Sequence, residues 1–254
     1  MGTAERIALG FVQAERLRRR NVPGAEVVDL DGLVLAFANV PDPELNSALV
    51  EREPLDPATA LEAAEAEFTR RGLGFGIDLQ AGRHPAVDGC LRSRGLEILL
   101  ERPGMAADVS DLADIRPPRG VRITPVTDQV GALALAKAGA EAFDGDLESS
   151  ERFYAKGAFG VSGAISFVAW QGDDPVGSAA GYLNEGAVGV FGVGVVPRAR
   201  RRGLGAALTV AAVRAFDGAD IAWLHPSEMA WPMYQALGFR RVSDWQVWAR
   251  SSGL

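Results

Sequence analysis

The chain has 254 residues, of which 48% are hydrophobic and 23% charged, and its formal net charge at pH 7 is −7. This is the composition of a globular protein able to bury a core, and with domains of about 100–200 residues it allows one large domain or two small ones. The acidic balance argues against a nucleic-acid or anionic-membrane partner, which would require a broad basic face; with Cys90 the only cysteine and His84 and His225 the only histidines, neither an intrachain disulfide nor a zinc constellation at the usual spacing can be assembled.

Residues 1–20 read as an amphipathic helix with Ile7, Phe11 and Leu17 on or near one face, interrupted by Glu5, Arg6, Gln13 and Glu15, which is no signal-peptide pattern. The longest uncharged apolar run, 186–197, falls short of the ~18 residues of a membrane span, so the expectation is a soluble protein of the reducing cytoplasm. Segments 26–30 and 33–38 flank Asp31-Gly32, a hairpin signal. A helix over 57–71, a strand over 75–80, a helix over 85–94 and a strand over 96–101 follow. Residues 103–120 mix Pro, Gly and Asp with little apolar periodicity; this is linker composition, and it divides the chain into halves 1–115 and 120–254.

In the second half, a strand over 187–196 contains Gly189, Gly192 and Gly194, which signals a bulge or the close approach of a ligand. It runs into an Arg/Gly loop that opens an Ala-rich helix over 203–216. The first N–H groups of a helix have no partner within it and carry its positive dipole end, so this junction reads as an anion cradle. Gly203 and Gly205 have no side chains to hold a phosphate off, and Arg200, Arg201 and Arg202 supply charge. A strand over 221–224, a helix over 228–237 and strands over 239–242 and 245–249 complete the chain, repeating the order of the first half. Arg94-Gly95-Leu96-Glu97 sits where Leu237-Gly238-Phe239-Arg240 sits, with Leu91 and Tyr234 four residues before the respective glycines. The first half's counterpart of the cradle, residues 51–57, has no glycine and several carboxylates. A dinucleotide-binding reading of Gly192-x-Gly194-x-x-Pro197 fails, because its glycines lie within the strand rather than at the helix-opening end. No Gly-x-Ser-x-Gly nucleophile motif is present either.

The spacing Arg200-x-x-Gly203-x-Gly205 after Val193-x-Val195-x-Pro197, followed by Tyr234-x-x-x-Gly238-Phe239, resembles the acyl-CoA signature of the GCN5-related N-acetyltransferase (GNAT) family over roughly residues 165–250. The resemblance implies an α/β (α+β) fold of tandem GNAT-like domains, each a mixed, mostly antiparallel sheet flanked by helices, with splayed central strands in the C-terminal domain. Residues 1–115 would be a degenerate copy and 120–254 the catalytic domain. Acetyl-CoA is the implied acyl donor, held by the backbone near Val193 and Val195, by Arg200, Arg201, Arg202, Gly203, Gly205 and Ala206, and by Ser227, which also reads as a helix N-cap. Tyr234 is the implied general acid, protonating the departing thiolate. No glutamate lies within 187–196, where many relatives place a base; Glu185 in the preceding turn is the first substitute, with Asp144, Asp146, Glu148 and Glu151 as a second set bordering the acceptor pocket. His225, a lone histidine at a strand end, reads as structural. The expected partners are acetyl-CoA and an amine acceptor, with no metal, nucleic acid or membrane, and with a homodimer left open. The alternative from another class is a non-catalytic acyl-CoA-binding or sensor module.

Overall fold

The computed structural model describes residues 1–20, 22–38, 40 and 45–250, the side chains of 155–157 excepted. Helix α1 (Thr3–Arg19) buries Ile7, Phe11 and Leu17, as the spacing predicts. Strands β1 (Glu26–Asp29) and β2 (Leu33–Phe37) form the expected antiparallel hairpin, with Gly32 at the φ of 74° that the tight turn requires. Next come β3 (Ser47–Val50), α2 (Pro57–Arg71), β4 (Gly76–Gln80), α3 (Pro85–Ser93) and β5 (Glu97–Asp108). The second half contributes β6 (Val121–Pro125), α4 (Gln129–Phe143), α5 (Leu147–Gly157), β7 (Ala164–Gln171), β8 (Asp174–Asn184) and β9 (Ala187–Val195). It ends with α6 (Leu204–Arg214), β10 (Ile221–Leu224), α7 (Trp231–Ala236) and β11 (Arg240–Ala249). No helix among the described residues is long and apolar enough to cross a membrane.

Three expectations are corrected. Residues 103–108 are strand rather than linker: β5 continues through Pro103-Gly104 and pairs with β10 from Met105 to Asp108, burying Met105, Ala106 and Ala107. The two strands over 239–242 and 245–249 are one, β11, which absorbs Ser243-Asp244 through a register shift against β5 instead of turning there. The helix over 228–237 is shorter, because Ser227 to Ala230 form a turn in which the Ser227 carbonyl accepts from the N–H groups of Ala230 and Trp231.

All strands belong to one sheet of order β1-β2-β3-β4-β11-β5-β10-β9-β8-β7-β6. Apart from the additional edge strand β6, the order is symmetric about the antiparallel β11/β5 pair. On each side that pair is followed by a parallel pair, β4 with β3 and β10 with β9, while the remaining neighbours are antiparallel. Each half therefore lends its last strand to the other: β5 lies against β10 and β11 against β4. The internal correspondence read from the sequence is realised in detail. Helices α3 and α7 end at Gly95 and Gly238, both at positive φ, and the next N–H returns to the carbonyl of Leu91 in one case (3.1 Å) and of Tyr234 in the other (3.0 Å).

The parallel β9/β10 pair is short. Ile221, Ala222 and Trp223 pair with Ala187, Val188 and Gly189, and past that point β9 makes no further pair with β10. One apolar core lies under α6 and another under α2 and α3. Helix α1 closes the seam between them, packing Ile7, Phe11 and Val12 on Val34 and Leu49 of the first half and on Trp223 and Ile221 of the second. Each such fully buried side chain contributes on the order of 1.5–3 kcal/mol, so the N-terminal helix is part of the central packing.

Candidate active site

The loop between β9 and α6 is built to leave a helix N-terminus open. Pro197–Ala199 make a single 3-10 turn, Arg201 takes a φ of 62°, and Gly203, the N-cap of α6, takes a φ of 79° with no side-chain cap. Space on the Cβ side of Gly203 is empty to 4 Å. The first N–H groups of an 11-residue helix therefore meet no capping side chain, the condition for binding an anion. Arg201 and Arg202 are exposed beside it, with Arg202 reaching the Arg119 carbonyl at 3.5 Å.

Two residues of the motif act otherwise than the sequence suggests. The Arg200 guanidinium is turned back, donating to the carbonyls of Val195 and Ala142 at 2.9 Å each, so it braces the loop onto β9 and α4. A Cβ at Gly205 would stand 3.0 Å from Met233 Sδ, so this glycine lets α6 approach α7 rather than clearing room for a phosphate. Ala206, half-buried, completes the first turn of α6.

Beyond Gly189 the edge of β9 facing β10 is unpaired and borders a cleft of about 270 Å3. A bulge at Gly192 (φ 58°), stapled by the Ser178 hydroxyl donating to the Gly192 carbonyl at 2.9 Å, turns this stretch of strand, with Val193 in the cleft wall. Val195, the last residue of the strand, pairs across to Gly177. Tyr234 enters from α7, 5% exposed and edge-on to Phe239. Burial pushes its phenol up to about 12, against a lowering hydrogen bond with Thr209. Ser227 lies exposed at the rim. It does not cap a helix with its side chain, since α7 begins only at Trp231.

The opposite wall comes from the first half of the chain and escaped the sequence reading. Phe11, Glu15 and Arg18 of α1, Ser47 of β3 and Arg102 of β5 all face this cleft. Glu15 is bound by both Arg18 and Arg19. Burial opposes its charge, but the two guanidiniums prevail and hold the carboxylate at about 2. Arg102 pairs with Asp78, a buried carboxyl that desolvation raises and that Arg102 and Ser47 pull back. His225, at the end of β10, sits among Phe11, Trp223 and Trp245 with ring separations of 5.2, 5.8 and 5.3 Å. Burial, reinforced by the charge of Arg102, lowers it to about 3, so the ring is neutral; with Nδ1 on the Pro103 carbonyl at 3.2 Å, its Nε2 is a buried, unoccupied acceptor.

The structure does not bring the expected bases to this cleft. Glu185 is exposed in the β8–β9 turn at a φ of 46°, at the end of β9 remote from the cradle. The acidic segment after Phe143 is spent on helix ends: Asp144 is the left-handed C-cap of α4, Asp146 caps α5 by accepting from the Ser149 N–H at 2.7 Å, and Glu148 pairs with Arg152 on the surface. Glu151, one turn further along α5, is likewise outside the cleft wall. Among the described residues no group of three or more His, Cys, Asp or Glu could hold a metal ion.

A parallel strand pair that stops short, a bulged strand edge and an uncapped Arg/Gly helix N-terminus are consistent with the GNAT fold. Residues 134–239 match the model of the acetyltransferase (GNAT) family, so the second half of the chain carries a GNAT domain. A GCN5-related N-acetyltransferase from Kribbella flavida superimposes over 100% of this chain and 97% of its own, with a TM-score of 0.77 at 25% identity. A GCN5-related N-acetyltransferase from Sphaerobacter thermophilus shares the fold over 95% of this chain and 90% of its own (TM-score 0.60, 16% identity). A tandem GNAT protein from the clavulanic acid biosynthesis pathway does so over 93% and 86% (TM-score 0.60, 14% identity). No curated protein matches the chain.

Proposed function

We propose that the protein transfers an acetyl group from acetyl-CoA to the amine of a small molecule or peptide, with residues 120–254 as the catalytic half and residues 1–115 as a degenerate half that binds no acyl donor of its own. One observation carries this reading: an unpaired strand edge and a buried phenol share a single cleft, and the strand that forms its wall, β9, runs on into an uncapped helix N-terminus. The pyrophosphate would lie on the first N–H groups of α6 beside Arg201 and Arg202, with Gly203 clearing the way, and the pantetheine arm would add to the free edge of β9 at Val193 and Val195. The thioester then comes within reach of Tyr234. The amine nitrogen bonds to the thioester carbon, the C–S bond breaks, and the thiolate takes the proton of Tyr234. A phenol raised to about 12 still holds that proton at neutral pH.

The nitrogen's own proton leaves to water, for among the described residues no strong base faces the cleft. His225 at about 3 and Glu15 at about 2 are too weakly basic to remove it, although His225 Nε2 can accept a hydrogen bond from the amine. Glu185 is not retained as the base. The test is thiol release from acetyl-CoA across an amine panel, together with calorimetric binding of acetyl-CoA. Binding at one site per chain with turnover of at least one amine supports the reading. Binding without turnover of any amine would leave the acyl-CoA sensor instead.

A further inference from the structure

The cleft wall supplied by the first half has an excess of cationic groups that the acetyl-transfer reading does not use. Glu15 is a single carboxylate shared by two guanidiniums, so the Glu15-Arg18-Arg19 group retains one positive charge inside the protein. The two arginines are not equivalent. Arg19 is spent internally: its side chain is 1% exposed and also donates to the carbonyls of Glu15 and Leu45. Arg18 gives Glu15 one nitrogen, Nη1, and among the described residues its other N–H groups meet no acceptor. Its guanidinium is held against the rings of Phe153 and Phe191, 5.4 and 5.2 Å from their centroids, and it borders the cleft. On the same wall, Arg102 gives Asp78 only Nη2, and its Nε–H is buried without a partner. Its guanidinium lies 5.6 Å from the Phe11 ring, which is itself 6.2 Å from Phe191, so the two arginines flank one aromatic pair.

Guanidinium groups held on aromatic faces and partly dehydrated are suited to a planar anion, which a free fork can bind through two parallel N–H bonds. We propose that Arg18 and Arg102 form an anion subsite for the acyl acceptor, and that the acceptor is a small amine bearing a carboxylate, of the amino-acid class. The inference rests on the reading of the cleft as an amine-accepting acetyltransferase site. It also assigns the first half a role: α1 and β5 supply the part of the site that selects the acceptor.

The experiment compares the common α-amino acids and β-alanine with the carboxamide of each, on the full chain. Binding to the CoA-loaded protein is measured by calorimetry, and turnover by thiol release from acetyl-CoA. At least one acid should bind about 100-fold or more tightly than its amide, the worth of two charge-assisted hydrogen bonds. Arg18→Met leaves Glu15 paired with Arg19; it should raise KM for that acid by a similar factor and leave the amide unchanged. Arg18→Lys, which keeps the charge but not the fork, should recover only part of the loss. Thermal melting identifies a variant that fails to fold, in which case the acid-to-amide ratio of the unmutated protein decides. Equal binding of acid and amide, or no binding of either, overturns the subsite whatever the turnover. Acid-selective binding lost in Arg18→Met but without acetylated product upholds the subsite and overturns the transfer reading.

Discussion

Two helices stand at equivalent places in the two halves, and the chemistry of their N-termini is opposite. Helix α2 follows β3 as α6 follows β9, each leaving a parallel strand pair. At α2 the Asp56 carboxylate accepts from the N–H groups of Ala58 and Thr59, occupying with the protein's own anion the place a phosphate would need. Beside it, Glu53 accepts from the N–H groups of Ala86 and Val87 at the start of α3, at 2.8 and 3.2 Å, and contacts His84, tying that loop to the next helix. At α6 the cap is Gly203 with nothing in front of it, and the strands beyond remain apart. One backbone plan thus has two forms: at α2 it is filled by the protein's own carboxylates, and at α6 it is left uncapped, the condition for binding an anion.

The largest expected effect comes from giving the second helix the cap of the first. Gly203→Asp should abolish acetyl-CoA binding, lowering affinity by roughly 10²–10⁴ through lost charge-assisted bonds and repulsion. Gly203→Asn, which tolerates the same left-handed backbone without the charge, should retain much more. Equal affinities by calorimetry would show that the comparison is wrong. Making Tyr234 apolar like its counterpart Leu91 is the second step. Tyr234→Phe keeps the ring against Phe239 and should lower turnover by about 10²–10⁴ while leaving acetyl-CoA affinity nearly unchanged. Turnover within threefold of wild type would remove the assignment.

The pH profile comes third. With His225 and Glu15 already deprotonated well below neutrality, the rate should rise about tenfold per pH unit towards the pKa of the acceptor amine; a plateau near pH 6 would reveal a base not recognised above. Stability should run the same way. Both groups bind a proton more readily unfolded than folded, so stability is full above about pH 6.5 and falls as pH drops, first through His225 and then below 4.5 through Glu15. His225→Asn should flatten the upper part of that fall in melting curves. The smallest effect is at the structural end: Asp56→Ala should cost about 1 kcal/mol of stability and create no second acetyl-CoA site.

Local signals made much of this readable in advance. Helix α2 and strand β10 occupy the spans that their flanking Pro, Gly and apolar residues mark, and the cradle follows from Gly203 and the strand before it. What the sequence hid was long-range. Nothing near Arg18 or Arg102 indicates that they face a cleft whose other wall begins at Val190, and Pro103-Gly104 has the composition of a linker although the neighbouring alanines are buried in the sheet. By sequence, Glu185 is the first substitute because it lies in the turn just before a strand that has no glutamate of its own. A hairpin turn at the wrong end of β9 sets it aside.

The crossing of β5 and β11 has a consequence for how the molecule comes into being. During synthesis the edge of β4 stays uncovered until β11 emerges at residues 240–249, so the first half cannot complete its sheet while the ribosome is still making the second. Closing that contact spans most of the chain, which is slow for entropic reasons, and an open strand edge in the meantime invites pairing with other chains. Because β11 is also the strand beside β5, which carries Arg102 into the cleft, that wall of the pocket is braced only once β11 has been made. A nascent chain that has not yet released β11 therefore holds the two halves of its sheet unjoined.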